Sequence, residues 1–308
     1  MRALIDLLGA VDPAWPPVRV ACAAADDENL LLSLRDTIAR GLVRPILIGP
    51  VARMSAMVRE AGLMADTFEV IDVVDKESAC ARAVHLCQQG QAAAIMKGAV
   101  PTSILLKAVL RAENRGPVRQ TLTHVTVFRP RGFRRLMVLA DAGVQIAPDA
   151  GDLTEIVIHA ARVARCLRIR RPKVAMLSAA EFINPKMPSS VIAADVAALC
   201  AARPDIEADV GGPYALDVAV SPMAASQKGI VDGIAGRADV LITPGIDAGN
   251  VLYKSLTCFS DLDLASVVVG AAMPMIISSR ADSERTKIYS TALALLLAQY
   301  EEIDRSRP

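Results

Sequence analysis

Apolar and polar positions alternate along this chain with two periods, one typical of buried strands and the other of amphipathic helices. The first hundred or so residues repeat this change of period several times. Because strands and helices that alternate in this way form βαβ units, the pattern predicts a parallel sheet with helices on both faces. The predicted strands are 18–24, 45–49, 68–73 and 92–96, and the predicted helices between them are 28–40, 52–61 and 77–89.

The alternation of strands and helices is interrupted in the middle of the chain and then continues. Two apolar runs, 125–128 and 136–140, flank a polar Pro-Arg-Gly turn and predict a hairpin. A second βα series follows, and the last strand, 274–277, and its helix can return to the first series. We therefore predict an α/β fold of two lobes, residues 1–138 plus 269–308 and residues 139–268. The second series consists of helix 153–165, strand 174–178, helix 189–202, strand 240–243 and a helix that begins after Gly249-Asn250.

Composition narrows the class of protein. Hydrophobic residues make up 53% and aromatic residues only 3%, which indicates a core of Ala, Val, Leu and Ile. The net charge of +1 gives no electrostatic reason to expect nucleic acid or an anionic membrane as a partner. No apolar run approaches the roughly 18 residues of a membrane span, and Asp6, Asp12 and Pro13 interrupt the place where a signal peptide needs an apolar segment. We expect a cytoplasmic protein.

Cysteine and histidine give little sign of a metal site. The six cysteines are widely spaced and form no CxxC pair, so a zinc site is not expected and most should be buried as small hydrophobes. His124 closes a polar turn just before the apolar run 125–128. A structural role and a chemical role both stay open for it.

Polar motifs follow several of the predicted strands. Lys97 comes directly after strand 92–96, Thr102 begins the next helix, and Asn250 and Lys254 come after strand 240–243. Since open α/β sheets bind ligands beyond the carboxyl ends of their strands, these residues are candidates for one polar site. Neither GxGxxG nor GxxxxGK[ST] occurs, so neither a dinucleotide fingerprint nor a P-loop is predicted.

The segment 274–292 carries the most distinctive chemistry. Ser279 and Arg280 follow its short apolar strand, and Asp282 is a candidate cap for the helix after it. An arginine among hydroxyls at a helix N-terminus is a natural anion site, because free backbone N–H groups and the guanidinium both match phosphate oxygens. An ordinary capped helix with a solvated arginine is the alternative.

Several segments resemble a known family in the order in which they occur. They include MKGAVPTSILLKAVL, LADAGVQIAPD, KGIVDGIAGRADVLITPGIDAGNVLYKSL and SSRADSERTK, and they extend from about residue 92 to residue 290. Together they resemble the phosphate acetyltransferase/phosphate butyryltransferase family, and the short butyryltransferase-like branch in particular.

The resemblance implies reversible transfer of a short acyl group: acyl-CoA and phosphate give acyl phosphate and CoA. It implies two α/β/α lobes with mostly parallel sheets and an interlobe cleft, as in isocitrate and isopropylmalate dehydrogenases. It also implies a homodimer that uses coenzyme A as a substrate, with no cofactor and no metal. The expected partners are therefore acyl-CoA or CoA and phosphate.

The same resemblance implies roles for the candidate residues. Ser279 would contact the oxyanion or the phosphoryl group, and Arg280 would bind phosphate. Asp282 would be the base for the CoA thiol or, equally, the cap of the last helix. The further substrate-binding candidates are Lys97, Thr102, Asn250 and Lys254.

One departure from the family pattern leaves an alternative open. The short branch has Asp-Gly-Pro where this chain has Gly211-Gly212-Pro213. A missing carboxylate there would suit a CoA-ester-binding module with reduced activity, dependent on a partner such as a hydratase-type enzyme. A metal-dependent decarboxylating dehydrogenase is a further alternative, but the clustered aspartates and nicotinamide site that it needs are not found in the sequence.

Overall fold

A computed structural model describes residues 1–12, 17–113, 121–260, 262–277 and 282–305 of the chain. Among the described helices, none combines the length and the apolar character that crossing a membrane requires. The helices are α1 (Ile5–Ala10), α2 (Glu28–Ala39), α3 (Val51–Glu60), α4 (Lys76–Gln88), α5 (Thr102–Glu113), α6 (Ala150–Cys166), α7 (Pro188–Ala201), α8 (Leu216–Val220), α9 (Pro222–Gln227), α10 (Ile246–Cys258) and α11 (Glu284–Arg305). The strands are β1 (Val18–Ala23), β2 (Val43–Gly49), β3 (Glu69–Asp72), β4 (Ala94–Lys97), β5 (Thr123–Phe128), β6 (Met137–Ala140), β7 (Lys173–Leu177), β8 (Asp209–Tyr214), β9 (Val240–Ile242), β10 (Leu264–Val269) and β11 (Met275–Ile276).

The chain divides into two compact units. The first unit contains residues 5–120 and 265–308, and the second contains residues 1–4 and 121–264. The lobe boundaries predicted from the sequence, which place residues 121–138 with the first lobe, stay a prediction.

The first unit is built around strands in the order β3-β2-β1-β4-β11-β10. All neighbouring pairs are parallel except β10 and β11, which run antiparallel. In the middle of the sheet, Ala21 lies opposite Ile46 on one side and Ile95 on the other, and all three are buried. Helix α11 packs against α1, α2, β4 and β11, which places the C-terminal segment beside the N-terminal strands.

The second unit has strands in the order β5-β6-β9-β7-β8. β5 and β6 form the predicted antiparallel hairpin, and the remaining pairs are parallel. Its core is dominated by aliphatic side chains, with a few aromatic ones such as Phe128 and Tyr253. The protein is therefore a mixed α/β protein whose strands are mostly parallel, as the alternating pattern predicts.

Most predicted elements lie within a few residues of their predicted ends, but two predictions were wrong. Helix α10 begins at Ile246, so Gly249 and Asn250 lie inside the helix rather than before it. β5 begins at Thr123, so His124 lies in a strand rather than in a turn. The sequence analysis did not name β8, whose Gly-Gly-Pro segment lacks the β-branched residues that indicate a strand.

Candidate functional site

The order of strands in the first unit creates a crevice between β1 and β4. The chain leaves β1 through α2 toward β2, whereas α4 leads from β3 back across the sheet to β4 on the other side of β1. Where connections leave in opposite directions, a crevice opens beyond the carboxyl ends of the strands. A cavity of about 390 Å³ lies there, and its lining includes Asp27, Lys76, Lys97, Thr102 and Lys287.

The lining of this cavity is strongly cationic. Of the described residues, three lysines but only one carboxylate, that of Asp27, contribute to it. Asp27 also caps α2, because its Oδ1 accepts a 3.0 Å hydrogen bond from the backbone N–H of Leu30. The ammonium group of Lys97 donates to the carbonyl oxygens of Gly98 (3.2 Å) and Val100 (3.1 Å). These bonds orient the ammonium group, and the excess of lysines over carboxylates in the described lining makes the crevice attract anions.

Helix N-termini add to the positive potential of the cavity. Helix α5 begins at Thr102 and α4 begins at Lys76, and both of these residues line the cavity. The Asp27 cap of α2 places the start of a third helix there. Since the first N–H groups of a helix have no intrahelical acceptor and carry the positive end of the macrodipole, this arrangement favours a negatively charged ligand.

Gly98 makes the junction between β4 and the cavity possible. Its backbone N–H donates a 2.9 Å hydrogen bond to the carbonyl of Ala23 at the end of β1. A Cβ atom at position 98 would lie only 2.1 Å from the carbonyl oxygen of Ala24. Only glycine lets the chain approach β1 this closely, and the approach holds Lys97 and Thr102 at the same cavity.

Lys287 lines the cavity although no role was predicted for it from the sequence, as is also true of Asp27 and Lys76. It lies in the first turns of α11 and is only 7% exposed. In the sequence it stands in an otherwise ordinary amphipathic helix, and lysine in such a position is typical of a solvated face. Burial next to a cavity is a tertiary feature, and no local signal in the chain indicates it.

Asn250 and Lys254 lie in the second unit, on α10. Both residues are exposed. The side-chain amide of Asn250 donates a 3.3 Å hydrogen bond to the carbonyl of Ala142, and the Lys254 ammonium lies 5.3 Å from the centre of the Tyr253 ring. The structure thus places these two predicted residues one helical turn apart on one helix, whereas Lys97 and Thr102 meet at the cavity of the first unit.

The loop after β6 is organised by Asp141. This carboxylate is buried and accepts hydrogen bonds of 2.7 Å from the backbone N–H groups of His124, Gly143 and Val144. The carbonyl of Asp141 accepts a further bond of 2.9 Å from the hydroxyl of Thr243. With so many backbone donors around it, Asp141 fixes the loop that Asn250 contacts. The sequence analysis did not single it out.

A second cavity, of about 430 Å³, lies at the corresponding place in the second unit. It opens where β7 and β9 end, at the point where the chain reverses its direction across that sheet. Its lining is mainly apolar and includes Leu177, Leu216, Val251 and Leu252, with the hydroxyls of Ser178 and Thr243 among them. Such a lining suits an aliphatic chain rather than a charged group.

Comparison with known proteins assigns the family. The family model described as "Phosphate acetyl/butaryl transferase" matches residues 77–295. The chain belongs to this family. The phosphate butyryltransferase of Clostridium acetobutylicum is 37% identical over 280 residues, which cover 91% of this chain and 93% of that protein. The phosphate acetyltransferase of Thermotoga maritima is 33% identical over 91% of this chain and 95% of its own.

The solved structure of a phosphotransacylase agrees with this assignment. The branched-chain phosphotransacylase of Enterococcus faecalis V583 superposes with a TM-score of 0.79 at 33% sequence identity. The superposition covers 91% of this chain and 99% of that protein. The resemblance inferred from the sequence motifs is thereby confirmed.

Two of the predicted family residues, Ser279 and Arg280, lie outside the described residues. Asp282 is half-buried just before α11. The N-terminus of α11 is capped by Ser283, whose hydroxyl oxygen accepts a 3.1 Å hydrogen bond from the backbone N–H of Thr286. The role of Asp282 as a base for the CoA thiol stays a prediction.

The space beside position 211, where the resemblance implies an aspartate, is filled by side chains of nearby residues of the same chain. A Cβ atom on Gly211 would lie 2.9 Å from the Tyr214 hydroxyl and 2.8 Å from Cδ1 of Ile234. The Tyr214 hydroxyl in turn donates a 2.7 Å hydrogen bond to Asp232. Gly211 therefore leaves room for a tyrosine–aspartate pair, and a side chain at this position would have to displace it.

Proposed function

We propose that this protein transfers a short acyl group reversibly between coenzyme A and inorganic phosphate. Membership of the phosphate acetyl/butyryl transferase family supports this function. The single structural observation that carries it is the cationic crevice between β1 and β4, where lysines and helix N-termini face one cavity. A phosphate-using acyltransferase needs such a site for its anionic substrate.

The chemistry gives each kind of group a task. A phosphate oxygen attacks the thioester carbonyl of acyl-CoA, and the tetrahedral intermediate that forms carries an oxyanion. Collapse of this intermediate breaks the carbon–sulfur bond, releases the CoA thiolate, which then takes up a proton, and leaves acyl phosphate. A preplaced hydrogen-bond donor at the oxyanion lowers the barrier by roughly 3–4 kcal/mol. In the opposite direction the CoA thiol must first lose its proton, because the thiolate is the nucleophile.

We assign these tasks to the residues that the sequence motifs indicate. Lys97 and Thr102 bind the phosphoryl group at the cavity of the first unit, and Asp282 takes the proton of the CoA thiol. The remaining contacts, to the oxyanion, to phosphate and to the rest of the substrate, come from Ser279, Arg280, Asn250 and Lys254.

The finer features of the proposal come from the family resemblance. They are a homodimer in the cytoplasm, a fold of the isocitrate/isopropylmalate dehydrogenase type, and no cofactor or metal beyond coenzyme A as a substrate. Light scattering of the purified protein tests the dimer directly.

The decisive experiment measures phosphate-dependent release of free CoA thiol from acetyl-, propionyl- and butyryl-CoA, with EDTA present. Release that requires phosphate supports the acyltransferase, and the order of the rates gives its acyl-chain preference. Folded protein that binds CoA but releases no thiol from any of the three would instead favour a partner-dependent CoA-ester-binding module.

A pair of arginine variants tests the proposed phosphate contact. Arg280→Ala should lower turnover roughly tenfold or more, because a charge-assisted contact to phosphate is lost, while folding is unchanged. Arg131→Ala, which removes an exposed arginine from the turn between β5 and β6, is the matched control. Equal turnover and equal phosphate KM in both variants would remove Arg280 from the site.

A further inference from the structure

Lys287 is a buried cation without a charge partner among the described residues. Its side chain lines the cavity between β1 and β4 while the residue is only 7% exposed. Within the described part of the chain, its ammonium group has neither a hydrogen bond nor an ion pair. Lysine is rarely so little exposed unless its charge is paired, so the ammonium group at this cavity lacks the counter-charge that such a position usually has.

The surroundings of Lys287 are electrostatically unfavourable for a cation. It lies in the first turns of α11, where the positive end of the helix macrodipole disfavours a cation. The other ammonium groups at the same cavity, those of Lys76 and Lys97, repel it further. Asp27, the one carboxylate among the described lining residues, already caps α2. The described lining of the cavity therefore carries an excess of positive charge that an anionic ligand would balance.

We propose that this cavity is a phosphoryl-group site in which the ammonium of Lys287 is a charge partner of the ligand. Beyond Lys97 and Thr102, the site gains a further cation, carried on a largely buried side chain, that favours an oxyanion with more than one negative charge. Phosphate esters and inorganic phosphate have this charge near neutral pH, and helix N-termini suit their oxygens. The proposal rests on the proposed function only for the identity of the phosphoryl compound.

Two phosphoryl compounds share this chemistry, namely inorganic phosphate and the phosphate groups of CoA. The volume of about 390 Å³ is in the range of pockets that hold a whole small molecule, so it admits either. Dephospho-CoA lacks the 3′-phosphate but keeps the diphosphate. Comparing it with CoA therefore shows which of these two phosphate groups the cavity binds. The experiment must therefore measure all three ligands.

The test uses Lys287→Met, which keeps much of the length and volume of the side chain but removes its charge, and Lys287→Arg, which keeps the charge. Lys107→Met is the control, because it removes an exposed lysine of the same unit outside this cavity. Thermal unfolding of each protein is recorded alone and with saturating phosphate, CoA or dephospho-CoA. The KM values for phosphate and CoA are also measured for each protein.

The proposal expects opposite effects on the empty and the occupied protein. Without ligand, Lys287→Met should unfold a few degrees higher than the wild type, because repulsion from the other two lysines and from the positive end of the helix macrodipole has been removed. Its rise in midpoint with one phosphoryl ligand should be clearly smaller than that of the wild type, with a KM for that ligand roughly tenfold higher, and Lys287→Arg should recover part of both. The ligand whose effect is reduced identifies the source of the phosphoryl group.

A structural role for Lys287 gives a different result. If Lys287→Met unfolds at a lower temperature without ligand and keeps the wild-type rise with every ligand, the phosphoryl-site proposal is overturned. The outcome is distinguishable from failure of the proposed function, which would show as wild-type protein without phosphate-dependent thiol release. Reduced ligand stabilisation in Lys287→Met would support the site even in that case.

Discussion

The hydroxyl of Tyr214 donates a 2.7 Å hydrogen bond to Oδ2 of Asp232. The other carboxylate oxygen of Asp232 accepts bonds of 2.7 Å from the backbone N–H groups of Ile234 and Ala235. Burial alone would raise the pKa of Asp232, but these donors and the charge of Lys173 bring it below its usual range. Burial and the adjacent carboxylate raise the pKa of Tyr214. Tyr214 and Asp232 therefore form a hydrogen-bonded phenol–carboxylate pair beside Gly211.

Restoring the family carboxylate at position 211 should destabilise this protein. Gly211→Asp places a Cβ atom within 2.9 Å of the Tyr214 hydroxyl, which must move. We expect a loss of about 1–3 kcal/mol in the free energy of unfolding, measured by urea denaturation. In the Tyr214→Phe background the same change should cost less, because the obstructing oxygen is gone. Equal costs in both backgrounds would show that the tyrosine does not oppose a side chain here.

Acid should destabilise the protein in part through His159. Burial and the charge of Arg162 lower the pKa of this histidine to about 4, and its Nδ1 lies 2.8 Å from the Thr123 hydroxyl. In the unfolded chain the pKa of histidine is about 6.5. Between about pH 4 and pH 6.5 the unfolded state therefore binds a proton that the folded state does not bind. The contribution is fully present above pH 6.5 and falls by up to about 3 kcal/mol as the pH drops to 4.

Urea denaturation as a function of pH measures this contribution. His159→Gln should lose less stability between pH 7 and pH 4 than the wild type does. His85→Gln, a change at an exposed histidine on α4, is the control and should follow the wild type. Parallel curves for the wild type and His159→Gln would rule out the buried neutral histidine as the cause.

Gly98→Ala should disturb the phosphoryl cavity as well as stability. The added methyl group would lie 2.1 Å from the carbonyl oxygen of Ala24, so either β1 or the segment after β4 must shift. We expect a cost of about 2–3 kcal/mol in unfolding free energy and a higher KM for phosphate. Gly9→Ala in α1, where nothing lies within 4 Å of the added atom, is the matched control. A wild-type KM for phosphate in Gly98→Ala would argue against the close contact with β1.

Thiol labelling should distinguish Cys258 from the other cysteines. Burial raises the pKa of Cys80 and Cys200 to about 11 and that of Cys87 to about 12, so little reactive thiolate forms at these positions. Cys258 is exposed at the end of α10. We expect DTNB to label one thiol rapidly in the native protein, and Cys258→Ser to remove that phase. A fast phase that survives in this variant would point to opening of the fold at a buried cysteine.

The sequence determined the class of fold because local patterns carry it. The alternation of strands and helices predicts the mostly parallel sheets, and the polar turn between two apolar runs predicts the β5–β6 hairpin. The family motifs likewise occupy short segments that can be recognised one at a time. Lys97 and Thr102 could be placed together because the carboxyl ends of parallel strands meet at one edge of a sheet.

Close packing between distant segments was decided only by the tertiary structure. Gly249 looks like a helix breaker in the sequence, but it lies inside α10. Glycine is required there because a Cβ atom would be 2.0 Å from the carbonyl oxygen of Asp141. Lys287 looks like a solvated lysine until α11 packs against β4 and α2 and buries it at the cavity. Neither position differs in its local pattern from an ordinary one. Burial and close approach depend on which remote residues arrive beside a position, and a single sequence does not record that.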